Sequence, residues 1–149
     1  IHPDDPPVPA IRGISRIMTS ADAFKRLIHM APSANNGLTL CQGTFATMGE
    51  DIPSVIRYFG KRNKIFFVHF RDVRGDKWNF EETFHDEGKT DMYQAMKTYY
   101  EVSFKGPMRP DHVPTVAGDS NEHPGYSEIG PLFAIGYIKG LMEAAEKER

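Results

Sequence analysis

The sequence predicts an α/β fold built on a parallel sheet, and three observations carry that expectation. Strand-like and helix-like segments alternate along the 149 residues, as they do where each strand is followed by a covering helix. The clearest strand, Lys64-Ile65-Phe66-Phe67-Val68-His69-Phe70, is nearly continuously apolar, which implies burial on both faces. Polar residues suited to chemistry stand at the carboxyl ends of four candidate strands, near His2, Cys41, His69 and Asp111. The intervals of 39, 28 and 42 residues each hold one strand–helix unit with its loop. A doubly wound sheet also binds at carboxyl ends, at its switch point, but four successive strands aimed at one centre suit a closed barrel better. Four units make half of an eight-unit barrel. Half a barrel leaves two strand edges and one sheet face bare, so a second half is expected to exist.

Taken in order, His2 to Pro9 reads as a loop, too rich in proline for helix or central strand. Thr19 or Ser20 caps a helix with Asp22 in its first turn and Ala21, Phe24, Leu27 and Ile28 on one face, ended by Pro32 to Asn36. Gly37 to Cys41 is a short strand, and Gly43 and Gly49 mark a loop beyond it. Ile52, Val55, Ile56 and Phe59 are the stripe of a second helix closed by Gly60. After the strand at 64–70, residues 71–89 read as one long loop. Thr90 caps a third helix carrying Met92, Ala95, Met96 and Tyr99. A short strand then leads into Gly106-Pro107-Met108-Arg109-Pro110-Asp111-His112, and a last helix starts at Ser127 with Ile129, Leu132, Phe133, Gly136, Gly140 and Leu141 inward. The two glycines suit close helix packing. The tail from Glu143 to Arg149 is charged.

Composition narrows the partners. A formal net charge of -2, with both signs mixed throughout, gives no basic stripe for nucleic acid or anionic lipid. No apolar run reaches membrane-spanning length. The single cysteine excludes an internal disulfide and fits a reducing, cytoplasmic setting. Ile1 is not a methionine, and the opening reads as the end of a strand, so the chain is expected to be a piece of a longer protein. A homo-oligomer is expected.

The strand ends offer two imidazoles, a thiol and a carboxylate, a plausible set for a divalent transition metal. No short ligand motif such as CxxC or HExxH supports it, so the inference rests on placement. Each member also has a structural reading: Cys41 as an inert buried residue, His69 as a core histidine, His2 as a loop residue and Asp111 as a cap. His29, His85 and His123 read as surface residues, although Glu82 and His85 sit in a loop long enough to close over a site. The seven methionines are most simply core filling.

Several segments together resemble one known family. His2-Pro3-Asp4-Asp5-Pro6-Pro7, Phe67-Val68-His69-Phe70-Arg71-Asp72-Val73, Phe84-His85-Asp86-Glu87-Gly88, Thr90-Asp91-Met92-Tyr93, Arg109-Pro110-Asp111-His112 and Pro124-Gly125-Tyr126 look like the C-terminal part of bacterial mannonate dehydratase. The motifs run in order over essentially the whole chain and are specific only collectively. The resemblance implies a xylose-isomerase-like (β/α) barrel of which residues 1–149 are about strands five to eight, with an N-terminal half as the missing partner. It implies His2, Cys41, His69 and Asp111 as metal ligands, for manganese(II) first and iron(II), cobalt(II) or zinc as alternatives. His112 and Tyr126 resemble the catalytic acid–base pair, with the two roles open. Arg109 and Arg71 are candidates to hold the sugar acid, or else members of salt bridges. Asp4 and Asp5 are candidates to orient His2, or simple turn formers. The implied reaction is loss of water from D-mannonate to give 2-keto-3-deoxy-D-gluconate in hexuronate breakdown. Two other readings stay open: a metal-dependent sugar isomerase or epimerase on the same barrel, and a non-catalytic fragment that serves as an assembly module.

Overall fold

The computed structural model describes residues 1–148. Ile1 enters extended, and after a proline-rich loop the chain makes a small antiparallel ribbon, β1 (Ala10–Ile11) and β2 (Ile14–Ser15). Helix α1 (Ala21–Met30) follows, capped by Ser20, whose side chain accepts from the Ala23 amide. Strand β3 (Leu38–Cys41) runs without a break into helix α2 (Gln42–Thr47). Asp51 caps α3 (Ile52–Gly60), which returns the chain to β4 (Ile65–His69). A hairpin of β5 (Val73–Asp76) and β6 (Asn79–Glu82) precedes α4 (Met92–Glu101). Strand β7 (Met108–Arg109) and the long helix α5 (Ile129–Lys147) complete the chain.

The central sheet is parallel, in the order β3-β4-β7. Ile1 extends it by one position, because its amino group donates to Gly37 O at 2.8 Å and its carbonyl accepts from Thr39 N at 2.9 Å. Sequential strands are therefore spatial neighbours, as successive strand–helix units require. One face carries the core, where Leu38, Leu40, Val68 and Phe70 pack with Phe24, Phe45, Ile56, Phe59, Met96 and Tyr99 from the helices. The chain is mixed α/β, with helices on that face.

Five details depart from the sequence-based expectations. The strand at 64–70 is covered on one face only: Val68 and Phe70 are buried, while Phe67 and His69 are half-covered and Phe66 is exposed. The segment expected to be a loop between Gly43 and Gly49 is instead mostly the buried helix α2, Gln42–Thr47. Gly43 is there for close approach, since a Cβ at that position would lie 2.8 Å from Arg71 Cγ and Cδ. Gly49, at φ +85°, ends the helix in a Schellman turn, with its amide bonded to Ala46 O and that of Glu50 to Phe45 O.

Within the presumed loop 71–89, eight residues pair as the β5–β6 hairpin. Asp91, not Thr90, caps α4, because its carboxylate accepts from Gln94 N while the Thr90 amide is taken by Asp72. In α5 the inward face is Gly130, Ala134, Ile138 and Ala145. Ile129, Leu132, Phe133, Gly136 and Gly140 instead face outward, with Leu132 68% exposed and only Leu141 of the expected stripe half-buried. Gly130 lies against the preceding loop, where a Cβ would come 2.6 Å from Pro114 O, so a small residue and not the larger apolar stripe takes the covered face there.

Candidate active site

The parallel register builds the site. Cys41 pairs with His69, and His69 with Arg109, so the carboxyl ends of the three strands lie level. Ile1 at the sheet edge brings His2 to the same rim. His2 Nε2 lies 3.2 Å from His69 Nδ1, and His69 Nδ1 lies 3.3 Å from Asp111 Oδ2. Cys41 Sγ stands 3.9 Å from the same carboxylate oxygen. The ligand atoms of His2, Cys41 and His69 all fall within 4.8 Å of one another and could hold a metal ion. Atoms bound to a tetrahedral cation at about 2.0–2.3 Å are separated by roughly 3.4–3.7 Å, and the His2–His69, His69–Asp111 and Cys41–Asp111 separations of 3.2, 3.3 and 3.9 Å lie close to that. The donors fit too, with two imidazoles and a thiol beside a carboxylate.

Neighbouring groups orient these donors. The His2 Nδ1–H donates to Pro3 O at 2.7 Å, which leaves the Nε2 lone pair facing the cluster. Neither Asp4 nor Asp5 does this. Asp4 accepts from Arg16 Nε and from the Ile17 and Met18 amides, and Asp5 accepts from Arg71. Asp111 turns its side chain inward from a left-handed backbone, φ 69°, which aspartate tolerates better than most residues. Burial alone would raise its carboxyl, but the His69 hydrogen bond and the charges of His69, His112 and Arg71 outweigh that and hold it at about 2. Burial likewise opposes charge on His69, and Asp111 and Cys41 outweigh it and raise its pKa. The centre of the cluster thus favours positive charge.

Beside the cluster stands a second constellation. His112 Nε2 lies 2.7 Å from the Tyr126 hydroxyl, the rings meeting edge to face at 85°. On its other side, His112 Nδ1 lies 3.2 Å from Glu82 Oε1. That hydrogen bond raises the His112 pKa more than burial lowers it. Tyr126 is reached through a left-handed turn at Gly125, φ 85°, whose carbonyl accepts from Val113 N at 3.1 Å. An open cleft beside the pair is lined by Glu82, His112, Pro114, Asn121 and Gly125.

The two arginines differ. Arg109 is partly exposed, its Nη2 3.3 Å from Asp111 Oδ1 and its guanidinium 5.6 Å from the Tyr126 ring centre. Arg71 is only 1% exposed, and its donors are engaged inside the protein. Nε and Nη2 donate to the two oxygens of Glu82, while Nη1 faces Asp5 Oδ2 at 2.7 Å, Thr44 Oγ1 at 3.2 Å and Cys41 Sγ at 3.6 Å. It therefore braces the site from beneath through ion pairs with Asp5 and Glu82, so the salt-bridge alternative holds for it, in the interior instead of at the surface. His85 is another correction. It is fully buried, with Nε2 3.1 Å from Pro110 O, and burial keeps it neutral under the segment that carries Asp111 and His112. His29 and His123 are exposed, as expected.

Glu82 and Thr44 were missed as site residues proper. Glu82 ends a strand whose exposed–covered alternation only hints at a hairpin, and Thr44 lay in an unrecognised helix.

These features define a class: an α/β protein with a candidate cation cluster and a histidine–tyrosine pair at the carboxyl rim of a parallel sheet. Residues 1–149 match the family model of D-mannonate dehydratase (UxuA), and the chain belongs to that family. It is 40% identical over 152 residues to the mannonate dehydratase of Thermotoga neapolitana, an alignment that spans 99% of this chain and 41% of the relative. With the mannonate dehydratase of Streptococcus equi subsp. zooepidemicus it shares 38% identity over 147 residues, 97% of this chain and 40% of the other. The crystal structure of mannonate dehydratase from Streptococcus suis serotype 2 superposes with a TM-score of 0.92 at 36% identity, over 99% of this chain and 43% of that one. The chain thus spans about two fifths of the length of the relatives it matches.

Proposed function

We propose that this chain supplies the metal ligands and the acid–base pair for dehydration of D-mannonate to 2-keto-3-deoxy-D-gluconate, a step in hexuronate breakdown. The observation that carries the reading is the contact of 2.7 Å between His112 and Tyr126 immediately beside the cluster of His2, Cys41, His69 and Asp111. The family match supports it. On this reading residues 1–149 are about strands five to eight of a xylose-isomerase-like barrel, completed by an N-terminal half. A cytoplasmic setting would keep Cys41 reduced.

The chemical difficulty is the C2 proton, which lies alpha to a carboxylate, so its removal leaves a dianion. A divalent cation held by His2, Cys41, His69 and Asp111, manganese(II) first and iron(II) or cobalt(II) next, would supply Lewis-acid stabilisation of that charge. One member of the His112–Tyr126 pair takes the C2 proton, and the other protonates the departing C3 hydroxyl. The C2–H and C3–O bonds break, water leaves, and the resulting enol rearranges to the 2-keto acid. Arg109, partly exposed and beside Tyr126, is the residue that we assign to grip the substrate carboxylate. Arg71 takes no part in that grip, since it is enclosed. Incubating the metal-loaded protein, completed by the N-terminal half, with D-mannonate should release a 2-keto-3-deoxy acid. A product that keeps all its oxygens would favour an isomerase or epimerase instead, and no turnover with no bound metal would favour an assembly module.

A further inference from the structure

We propose that Glu82 is the positioning residue of the acid–base pair: by holding His112 with its proton on Nδ1, it leaves Nε2 as the nitrogen that exchanges a proton with Tyr126. The inference rests on the functional reading above and adds to it a residue outside the expected site set.

The geometry runs from the core outward. Arg71 is a donor-only group, buried against α2, where Gly43 leaves room for its stem and Thr44 meets Nη1. Its Nε donates to Glu82 Oε2 at 2.8 Å and its Nη2 to Oε1, so both carboxylate oxygens are gripped and the group cannot turn away. Oε1 keeps capacity for one more donor, and His112 Nδ1 lies there at 3.2 Å. An ionised carboxylate only accepts, so the nitrogen facing it must carry hydrogen. In the neutral ring Nε2 is then the lone-pair nitrogen, and the Tyr126 hydroxyl donates to it across 2.7 Å. The same guanidinium reaches Asp5, on the loop after His2, and Cys41. Through Glu82, therefore, the aim of His112 is tied to the frame that holds the cation cluster. A carboxylate needed only to neutralise Arg71 would not have to present an oxygen to His112, and Asp5 already supplies a second negative charge.

The test uses the metal-loaded protein, completed by the N-terminal half, with Glu82→Met, which removes the acceptor at similar volume, and Glu82→Gln, which keeps one oxygen. We expect the methionine variant to lose the His112 Nδ1–H signature in nitrogen-15 NMR and to fall at least about tenfold in kcat, with KM and metal content unchanged. The glutamine variant, in which Arg71 and His112 compete for one oxygen, should be intermediate in both readouts. Should the methionine variant fail to fold, the glutamine variant carries the test alone, because rate and Nδ1–H population must fall together. Loss of the Nδ1–H form without loss of rate, or loss of rate with that form intact, overturns the proposal. An unchanged tautomer in the methionine variant also overturns it. If the parent protein makes no 2-keto-3-deoxy acid, the functional reading fails, and the NMR comparison still decides whether Glu82 sets the His112 proton.

Discussion

Cys41 shows how much a single side chain depends on its surroundings. It has no exposed surface, yet its sulfur is approached by the Thr44 hydroxyl at 3.1 Å and Arg71 Nη1 at 3.6 Å, both donors. A buried sulfur set among polar groups is a soft donor, which a transition-metal ion prefers to a hydroxyl. Cys41→Ser should therefore lower metal affinity by about tenfold or more while the melting temperature of the chelated protein changes little. Equal metal content in mutant and parent would remove Cys41 from the proposed ligand set. Tyr126 is the complementary case, 54% exposed and in contact with His112 but with no member of the cluster. Tyr126→Phe should reduce kcat by about 10²–10⁴-fold with metal content unchanged, and an unaltered rate would exclude it from the chemistry. Both residues were legible from sequence as polar groups at strand or loop ends. Glu82 was not, because its importance lies in which two groups share one of its oxygens.

Helix α5 and the loop before it show what is decided at the scale of an element. The residue that precedes the helix, Glu128, makes no capping bond, and the work falls to Asp119 from across the loop. Its carboxylate accepts from the Val116, Ile129 and Gly130 amides and from Ser127 Oγ, pinning both ends of the stretch that carries Tyr126. Although partial burial works against it, these bonds hold the carboxyl at about 2, below its ordinary 3.8. A depressed pKa means that the stabilisation is complete above the ordinary value and is lost as pH falls from 3.8 through about 2. Order at Tyr126, followed by NMR, should thus decline across that window in the parent. In Asp119→Asn it should be weakened already at neutral pH and lack that component. An identical pH response in the two proteins would exclude Asp119 as the clamp. Sequence periodicity located α1, α3 and α4 well, since their stripes are the faces that became buried. It failed for α2, where glycines that look like loop residues serve close packing and a helix end, and for the buried face of α5.

At the scale of the whole molecule, the four proposed ligands come from positions far apart in the chain and meet only because parallel strands lie in register. Folding and cation binding should therefore be coupled. With a cation at 100 times its Kd, the gain is about 2.7 kcal/mol, read as a higher denaturant midpoint before than after chelation. Coincident midpoints would mean that the cluster binds no ion in the folded state. The half-covered face of β4 and the outward apolar residues of α5 fit the proposal that further strand–helix units complete a barrel. No helix among the described residues is long and apolar enough to cross a membrane. The order of the main strands and helices, the polar strand ends and the likeness to the mannonate dehydratases were all determined by the sequence alone, because backbone periodicity and local motifs are properties of neighbours in the chain. Which face of each element was buried, that Arg71 lies beneath the site, and that Glu82 joins it to His112 were decided only by tertiary structure. Those features depend on contacts between residues 11 to 66 positions apart, and no local pattern encodes a distance across the fold.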